Sequence, residues 1–462
     1  MAKSTTRYVC QQCGRIAPKP LGRCPQCGSW NSMTAEVVTA ERKRAPVLAR
    51  TSSRPLRLAE IAGDANERLA LPMDEFARVL GGGIVPGSLV LVGGDPGIGK
   101  STLLLQVALV VAESGRVLYV SGEESNRQIK ARSLRLAGER PLPEQMFLLS
   151  ETDLGMIIEH VREIAPQLVV VDSIQTVHVE EIESGAGSIS QVRESASRLQ
   201  VLAKSCDAAI FLVGHVTKEG AIAGPKVLEH IVDTVLYLEG DAFHAYRLLR
   251  SVKNRFGATT EVGVFEMRSS GMVEVANPSE AFLAERAVNA PGSAIAVTLE
   301  GTRPLLVEVQ GLTSRTAFGN PRRTANGVDF NRMLLTIAVL TRRVGLPLGE
   351  EDVFVNVVGG LQVEEPSADL AVAATIASSF RDQAIPADLV MIGEVGLSGE
   401  LRAVPQLGVR LREAAKLGFR RAVVPRSVRG EEARPDGIEI HAARSLREAL
   451  AAAFGSERKE AS

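Results

Sequence analysis

The sequence predicts an α/β protein: an open, mostly parallel sheet with helices on both faces, preceded by a small metal-binding head and followed by a second α/β unit. Three observations carry this expectation. Short apolar runs alternate with amphipathic stretches between about residues 60 and 275. A glycine-rich loop, Gly94-x-x-x-x-Gly99-Lys100-Ser101, joins the first of these runs to a helical pattern. Four cysteines near the N-terminus have the spacing C-x2-C-x10-C-x2-C.

The chain has 462 residues, too many for one core, which implies two or three domains. Its hydrophobic fraction of 45% and charged fraction of 23% are those of a globular protein. No apolar run reaches the ~18 residues that span a bilayer, and the polar start (Met1 to Tyr8) lacks the apolar stretch of a signal peptide. A cytoplasmic location without a membrane partner is the expectation. Residues 1–58 carry eleven Lys/Arg against two Asp/Glu, a side-chain sum of +9, on a chain whose net charge is −1. Such a basic head suits a polyanion, or it is a solvated arm.

Residues 1–35 read as a zinc finger. Each C-x2-C pair turns two thiolates toward one point. Cys10, Cys13, Cys24 and Cys27 thereby complete a soft tetrahedral set suited to structural zinc. Gly14 and Gly28 follow the second cysteine of each pair and permit the positive φ of a knuckle. Two disulfides or a redox pair are the alternatives, disfavoured in a reducing compartment. Residues 36–59 read as a basic linker. Cys206 lies in an apolar helix end and is expected in the core.

Residues 60–278 form the expected nucleotide-binding unit. Leu89–Val92, Val117–Val120, Leu168–Val171, Ala209–Val213 and Thr234–Leu238 read as buried parallel strands. Ser101–Ser114 and Ser188–Cys206 read as helices. Tyr246–Lys253 and Glu261–Glu266 form a terminal antiparallel pair. Gly94, Asp95, Pro96, Gly97, Ile98, Gly99, Lys100, Ser101 and Thr102 then make the phosphate cradle for ATP. The glycines turn N–H groups inward, Lys100 reaches the β- and γ-phosphates, and Ser101 ligates magnesium. Asp172 ends a buried strand and is the second magnesium candidate; helix capping is its alternative. Glu123, with Glu124 as the other choice, is placed to polarise the attacking water, unless the pair is a solvated loop. His215 follows a strand and is read as a sensor of the γ-phosphate or as polar filler.

Residues 279–455 form the second α/β unit, and residues 456–462 a disordered tail. Strands are expected over Ala294–Glu300, Leu305–Gln310 and Phe354–Val358. Helices are expected over Phe330–Arg343, Ala368–Ser379 and Val409–Leu417.

These residues resemble the RadA (Sms) family of bacterial DNA repair proteins. The resemblance rests on the four-cysteine knuckle, the Gly94–Thr102 loop, the segment Val120-Ser121-Gly122-Glu123-Glu124-Ser125, the strand ending at Asp172 and the run Lys253-Asn254-Arg255-Phe256-Gly257. It implies a RecA-like P-loop ATPase core, an N-terminal four-cysteine zinc finger and a C-terminal Lon-protease-like α/β domain. It implies a homohexameric, helicase-like ring with ATP between subunits. Lys253 and Arg255 would reach the neighbour's γ-phosphate, a cation in trans that stabilises the charge of phosphoryl transfer. It implies single-stranded and branched DNA as partners, held at loops 179–190 and 217–226, with Lys218 and Lys226 in the second. It also implies branch migration together with the recombinase RecA.

In Lon proteases the segment matching Glu365–Asp369 carries the catalytic serine, which places Ser367 at that position and Arg410 at that of the lysine base. A guanidinium keeps its proton, so peptidase activity is not expected. Ser367 is read instead as a helix N-cap. Arg315, Arg322, Arg323, Arg342, Arg343, Arg402, Arg410 and Arg421 are among the cations that would face DNA. The competing readings are an ATP-dependent peptidase and a nucleotide-switched adaptor on recombinase filaments.

Overall fold

Strands rich in valine, isoleucine and leucine on both faces have to be covered by helices on both faces, and the computed structural model shows this arrangement. It describes residues 4–39, 57, 68–215, 227–240, 245–284, 286–426 and 435–455. Contacts divide the chain into two units, Met1–Ala242 with Arg247–Glu274, and Phe243–Tyr246 with Val275–Ser462. No helix among the described residues is long and apolar enough to cross a membrane.

The first unit opens with three strands, β1 (Ser4–Cys10), β2 (Ile16–Ala17) and β3 (Met33–Thr39), in the order β2-β1-β3. Strand β3 runs four residues into the stretch expected as linker, because it pairs along the whole of β1. Gly14 and Gly28 donate to the carbonyls of Cys10 and Cys24 at 2.8 and 2.9 Å, with φ of +71° and +75°. Both are the tight, left-handed turns that a side chain would strain.

The large sheet follows. Its elements are α1 (Asp74–Leu80), β4 (Leu89–Gly94), α2 (Lys100–Val111), β5 (Val117–Ser121), α3 (Asn126–Ala137), β6 (Met146–Ser150), α4 (Leu154–Ile164), β7 (Leu168–Asp172), α5 (Ile189–Cys206), β8 (Ala209–Val213), β9 (Thr234–Glu239), β10 (Tyr246–Asn254), β11 (Val262–Arg268) and β12 (Gly271–Glu274). The strand order is β12-β11-β10-β9-β4-β8-β7-β5-β6, with β9 through β6 parallel. Strand β4 lies centrally, and the chain leaves it across β8 and β7 to reach β5. Crossovers of this kind open a ligand crevice at the carboxyl ends of the strands. Helix α2 is buried at Leu103, Leu104, Leu105, Val107, Ala108 and Val111. Each such side chain contributes roughly 1.5–3 kcal/mol of burial, so the phosphate loop is anchored by the core.

Helix entries follow polar caps: Ser125 with Gln128 as a capping box at α3, Asp153 at α4 and Ser188 at α5. Cys206 ends α5 and is exposed, not in the core. The chain turns away after it at Asp207, whose left-handed backbone closes the helix.

The second unit contains α6 (Pro278–Leu283), β13 (Ser293–Glu300), β14 (Arg303–Arg315), β15 (Arg323–Asn326), α7 (Phe330–Val339), β16 (Glu351–Val357), α8 (Asp369–Arg381), β17 (Leu389–Met391), β18 (Glu394–Val395), β19 (Leu401–Arg402), α9 (Leu407–Lys416), β20 (Arg421–Pro425), β21 (Glu439–Ala443) and α10 (Leu446–Phe454). Seven strands form a mixed sheet in the order β15-β16-β14-β13-β17-β20-β21. The helix expected to run to Arg343 loosens after Val339 into a π turn, where Gly345 donates back to the Leu340 carbonyl at 3.0 Å. Helix α8 is buried from Asp369 to Ser378. Its N-cap is Ala368, so Ser367 does not cap it.

Candidate nucleotide site and metal centre

Four strands deliver the chemistry to one edge. The loop after β4 has positive φ at Gly94 (152°), Gly97 (77°) and Gly99 (115°). A Cβ at Gly97 would meet no atom within 4 Å, whereas one at Gly94 would collide with the Leu238 carbonyl. The loop is thus braced against β9 on one side and open on the other. Lys100 is 3% exposed and donates to the carbonyls of Gly94 and Asp95, both at 2.9 Å. Burial lowers its pKa below the ordinary lysine value, while Asp172, Asp95 and Glu123 pull it back up. A buried ammonium turned onto its own loop carbonyls is matched to an incoming anion, which would take over those contacts.

Asp172 ends β7 beside Ser121 at the end of β5. The Tyr119 hydroxyl donates to its Oδ2 at 2.6 Å. Burial first, and then the Asp172 charge, raise the Tyr119 pKa well above the usual phenol value. Tyr119 therefore keeps its proton and fixes the carboxylate. The Ser173 hydroxyl donates to Glu123 Oε1 at 2.7 Å, and His215 Nε2 lies 3.6 Å from the same oxygen. Gln175 Nε2 donates to the His215 carbonyl at 3.4 Å, while Gln175 Oε1 and His215 Nδ1 are buried without a partner among the described residues. Glu124 points elsewhere: its carboxylate pairs with Arg132, held by the capping box that starts α3. Of the two adjacent glutamates, Glu123 is the one turned toward Ser173 and the lysine. Tyr119, Ser173 and Gln175 were not singled out from sequence. The only signal was a hydroxyl inside an otherwise apolar strand.

The residues present fit a magnesium nucleotide. Gly94–Thr102 and Lys100 would hold the phosphates, and Ser101 with Asp172 the cation. The bound ion would supply charge neutralisation on the phosphate oxygens.

Lys253 and Arg255 lie at the other end of the sheet. Lys253 pairs with Val235 and Asn254 with Thr234, while Gly94 is opposite Leu238. Three residues of strand separate Val235 from Leu238 and four separate Thr234 from it, which puts Lys253 and Asn254 about 10 and 13 Å from their own phosphate loop along the sheet, with Arg255 beyond them. The Lys253 ammonium donates to the carbonyls of Glu229 and Val232 at 2.7 and 2.8 Å. Burial, and next Arg255, lower its pKa. Arg255 is 51% exposed and contacts Asp233 at 3.0 Å. Asn254 accepts from Phe256 N–H at 2.9 Å and donates to Leu80 at 3.2 Å. Lys218 and Lys226 lie outside the described residues. Loop 179–188 is tied to the Gln191 side chain, which bonds the backbone of Val179, Ile182 and Ser184. It exposes Glu180, Glu181 and Glu183. Their charge has the wrong sign for phosphate, against the expectation placed on this loop.

At the N-terminus the four cysteine sulfurs lie within 4.8 Å of one another. Cys10–Cys27 and Cys13–Cys24 are 3.6 and 3.5 Å apart. Sulfurs about 2.3 Å from a tetrahedral zinc are about 3.8 Å apart, so the set fits zinc with all four positions filled.

In the second unit Arg410 is fully buried and faces no solvent, contrary to its expected place on a DNA-facing surface. Its Nη1 donates to Val297 O at 2.7 Å, Glu365 Oε2 at 2.9 Å and Ser367 Oγ at 3.0 Å. Its Nη2 pairs with Glu365 Oε1, and Nε donates to Pro405 O at 3.0 Å. Ser367 donates to Glu365 Oε2 at 2.9 Å. Three further arginines expected on that surface are engaged by acids: Arg322 by Asp352, Arg402 by Glu400 and Arg421 by Asp388.

Family models match three stretches: an AAA domain over residues 54–221, a rubredoxin metal binding domain over 8–35 and subunit ChlI of Mg-chelatase over 325–428. A protein of Streptococcus pyogenes, DNA repair protein RadA, is 53% identical over 384 residues, 83% of this chain and 84% of that one. A protein of Bacillus subtilis with the same description is 52% identical over 391 residues, 83% and 84% of the two chains. A solved structure described as the RadB recombinase is 23% identical, with a TM-score of 0.36, over 45% of this chain and 99% of that one.

Proposed function

Because the chain belongs to the RadA family of DNA repair proteins, we propose that its ATPase drives movement along single-stranded DNA and promotes branch migration in recombinational repair, alongside the recombinase RecA. The observation that carries this reading is the split of the active groups between two sheet edges. Lys100, Glu123, Asp172 and Ser101 share the carboxyl edge, and Lys253 and Arg255 lie at the opposite one. One chain cannot bring both sets to one phosphate. A ring of copies, each laying its Arg255 on the next subunit's nucleotide, supplies the missing cation. Such an assembly links hydrolysis to displacement between subunits, and a homohexamer satisfies it.

In each site Lys100 binds the β- and γ-phosphates, Ser101 and Asp172 hold magnesium, and Glu123 orients the water. Ser173 fixes the Glu123 carboxylate, and Tyr119 fixes that of Asp172. His215 lies beside Glu123 and directly precedes in sequence the segment carrying Lys218 and Lys226, the proposed DNA contacts. The C-terminal unit is proposed to serve assembly and not peptide hydrolysis: the Ser367 hydroxyl faces a guanidinium, which cannot accept its proton.

ATP turnover measured with and without single-stranded DNA over a salt series tests the motor. Turnover is expected to rise with DNA. If roughly four phosphates are neutralised, DNA affinity is expected to fall about 50-fold between 0.05 and 0.2 M salt. One constant rate, whatever nucleic acid is present at low salt, would end the motor reading.

The subunit arrangement has its own check. Arg255→Ala is expected to lower turnover by about tenfold or more. Mixed with Lys100→Ala protein, it is expected to regain turnover that neither variant has alone, since a shared site then takes its lysine from one subunit and its arginine from the other. No recovery in that mixture would place Arg255 outside any shared site.

A further inference from the structure

The zinc knuckle carries an aromatic side chain that its own fold leaves uncovered. Trp30, the chain's single tryptophan, is 72% exposed, and no other large hydrophobic side chain among the described residues is as open. The ring is held in place. Its backbone pairs with Arg23 in an isolated bridge, and Asn31 N–H donates to Gly22 O at 2.8 Å. Arg23 Nε donates to Gly28 O at 2.9 Å, which holds its guanidinium 5.8 Å from the Trp30 ring centroid. Ile16 and Leu21, also exposed, belong to the same small unit. Residues 8–35 contain Arg15, Lys19 and Arg23, all exposed, and no Asp or Glu.

We propose that the zinc knuckle is a stacking platform for single-stranded nucleic acid, in which an unpaired base lies on Trp30 and Arg15, Lys19 and Arg23 hold the flanking phosphates. The inference rests on the DNA-directed reading above and adds a site to it. An aromatic face fixed on a rigid turn loses little entropy on stacking, and it accepts any base because every base has a π-face. The uniform positive charge suits a phosphate backbone and not an acid-and-base mosaic on a protein. Duplex DNA hides its base faces, so the platform discriminates for single strands.

The test uses the full-length zinc-loaded protein, whose tryptophan emission reports Trp30 alone. Titration with an oligothymidylate at low salt is expected to quench the emission saturably, and an abasic oligomer of equal length is expected to leave it nearly unchanged. In fluorescence anisotropy, Trp30→Ala is expected to bind the oligothymidylate about 5- to 100-fold more weakly, and Trp30→Phe to lose less. ATP turnover without DNA is expected to stay at the wild-type level in both. Equal quenching by the abasic oligomer would assign the surface to bare phosphate and overturn the stacking platform. Full affinity in Trp30→Ala with constant wild-type emission would overturn it too, and leave the DNA-driven ATPase standing. Failure of the wild-type protein to bind either oligomer would instead overturn the DNA reading itself. Should Trp30→Ala shed its zinc, Trp30→Phe and the wild-type titration decide.

Discussion

Lys100→Ala is expected to reduce ATP turnover by roughly 1,000-fold while the protein still folds. The argument starts from burial. The lysine is 3% exposed, and among the described residues its ammonium is satisfied by the carbonyls of Gly94 and Asp95. Those contacts hold the charge in readiness; they do not hold the core, which is carried by the leucines of α2. Removing a preorganised cation from developing negative charge typically costs about 100- to 1,000-fold, and here the same cation also binds the nucleotide. Stability is expected to change by no more than about 1–2 kcal/mol, because a desolvated charge disappears together with its two hydrogen bonds. The sign of the pH effect follows from the lowered pKa, caused first by burial. The unliganded fold releases this proton before the unfolded chain does, so ATP affinity is expected to weaken with rising pH at values still below the ordinary 10.5. Phosphate-release kinetics and a thermal melt check both halves. Near-normal turnover in the variant would move the nucleotide away from this loop.

The parts of the site that sequence made legible are those where a motif coincides with a strand end. Gly94–Thr102 and Asp172 each follow an apolar run, and strand ends in a parallel sheet converge whatever the intervening chain does. The cysteine quartet was legible for a different reason, since thiolate spacing alone fixes a tetrahedron. What escaped depends on register across long separations. The Tyr119 hydroxyl reaches a carboxylate 53 residues away only because Ser121 is paired with Asp172. The choice of Glu123 over Glu124 depends on a local cap, with Ser125 and Gln128 starting α3 so that Glu124 meets Arg132. Cys206 looked apolar by its neighbours, but α5 presents it to solvent at its last turn. The cap assigned to Ser367 failed because a tertiary partner outcompeted the local one: Glu365 and Arg410 took the hydroxyl before the helix could.

That buried cluster leads to the second large effect. Arg410→Met is expected to destabilise the C-terminal unit by about 3–5 kcal/mol, because it keeps the volume and leaves the Glu365 carboxylate without its cation. Burial alone would raise the Glu365 pKa. The bonds from Arg410 and from Leu299 N–H outweigh it and hold the carboxyl below the usual range. A depressed pKa contributes stability above the unfolded value near 4.3 and loses it as pH falls through the folded value. In the variant the cation is gone and burial pushes the same carboxyl upward, so its ionisation at neutral pH opposes folding. The gap between wild type and variant is therefore expected to be widest at pH 7 and to narrow below about pH 4. Adding Glu365→Gln to Arg410→Met is expected to recover part of the loss, whereas Arg410→Lys, charged but without the fork, is expected to lose less than the methionine. Urea denaturation of these four proteins, and of Glu365→Gln alone to close the cycle, at pH 7 and below pH 4 measures the coupling. A gap that stays constant with pH would mean that Arg410 acts through packing alone, and that the guanidinium standing beside Ser367 does not hold the Glu365 charge in place.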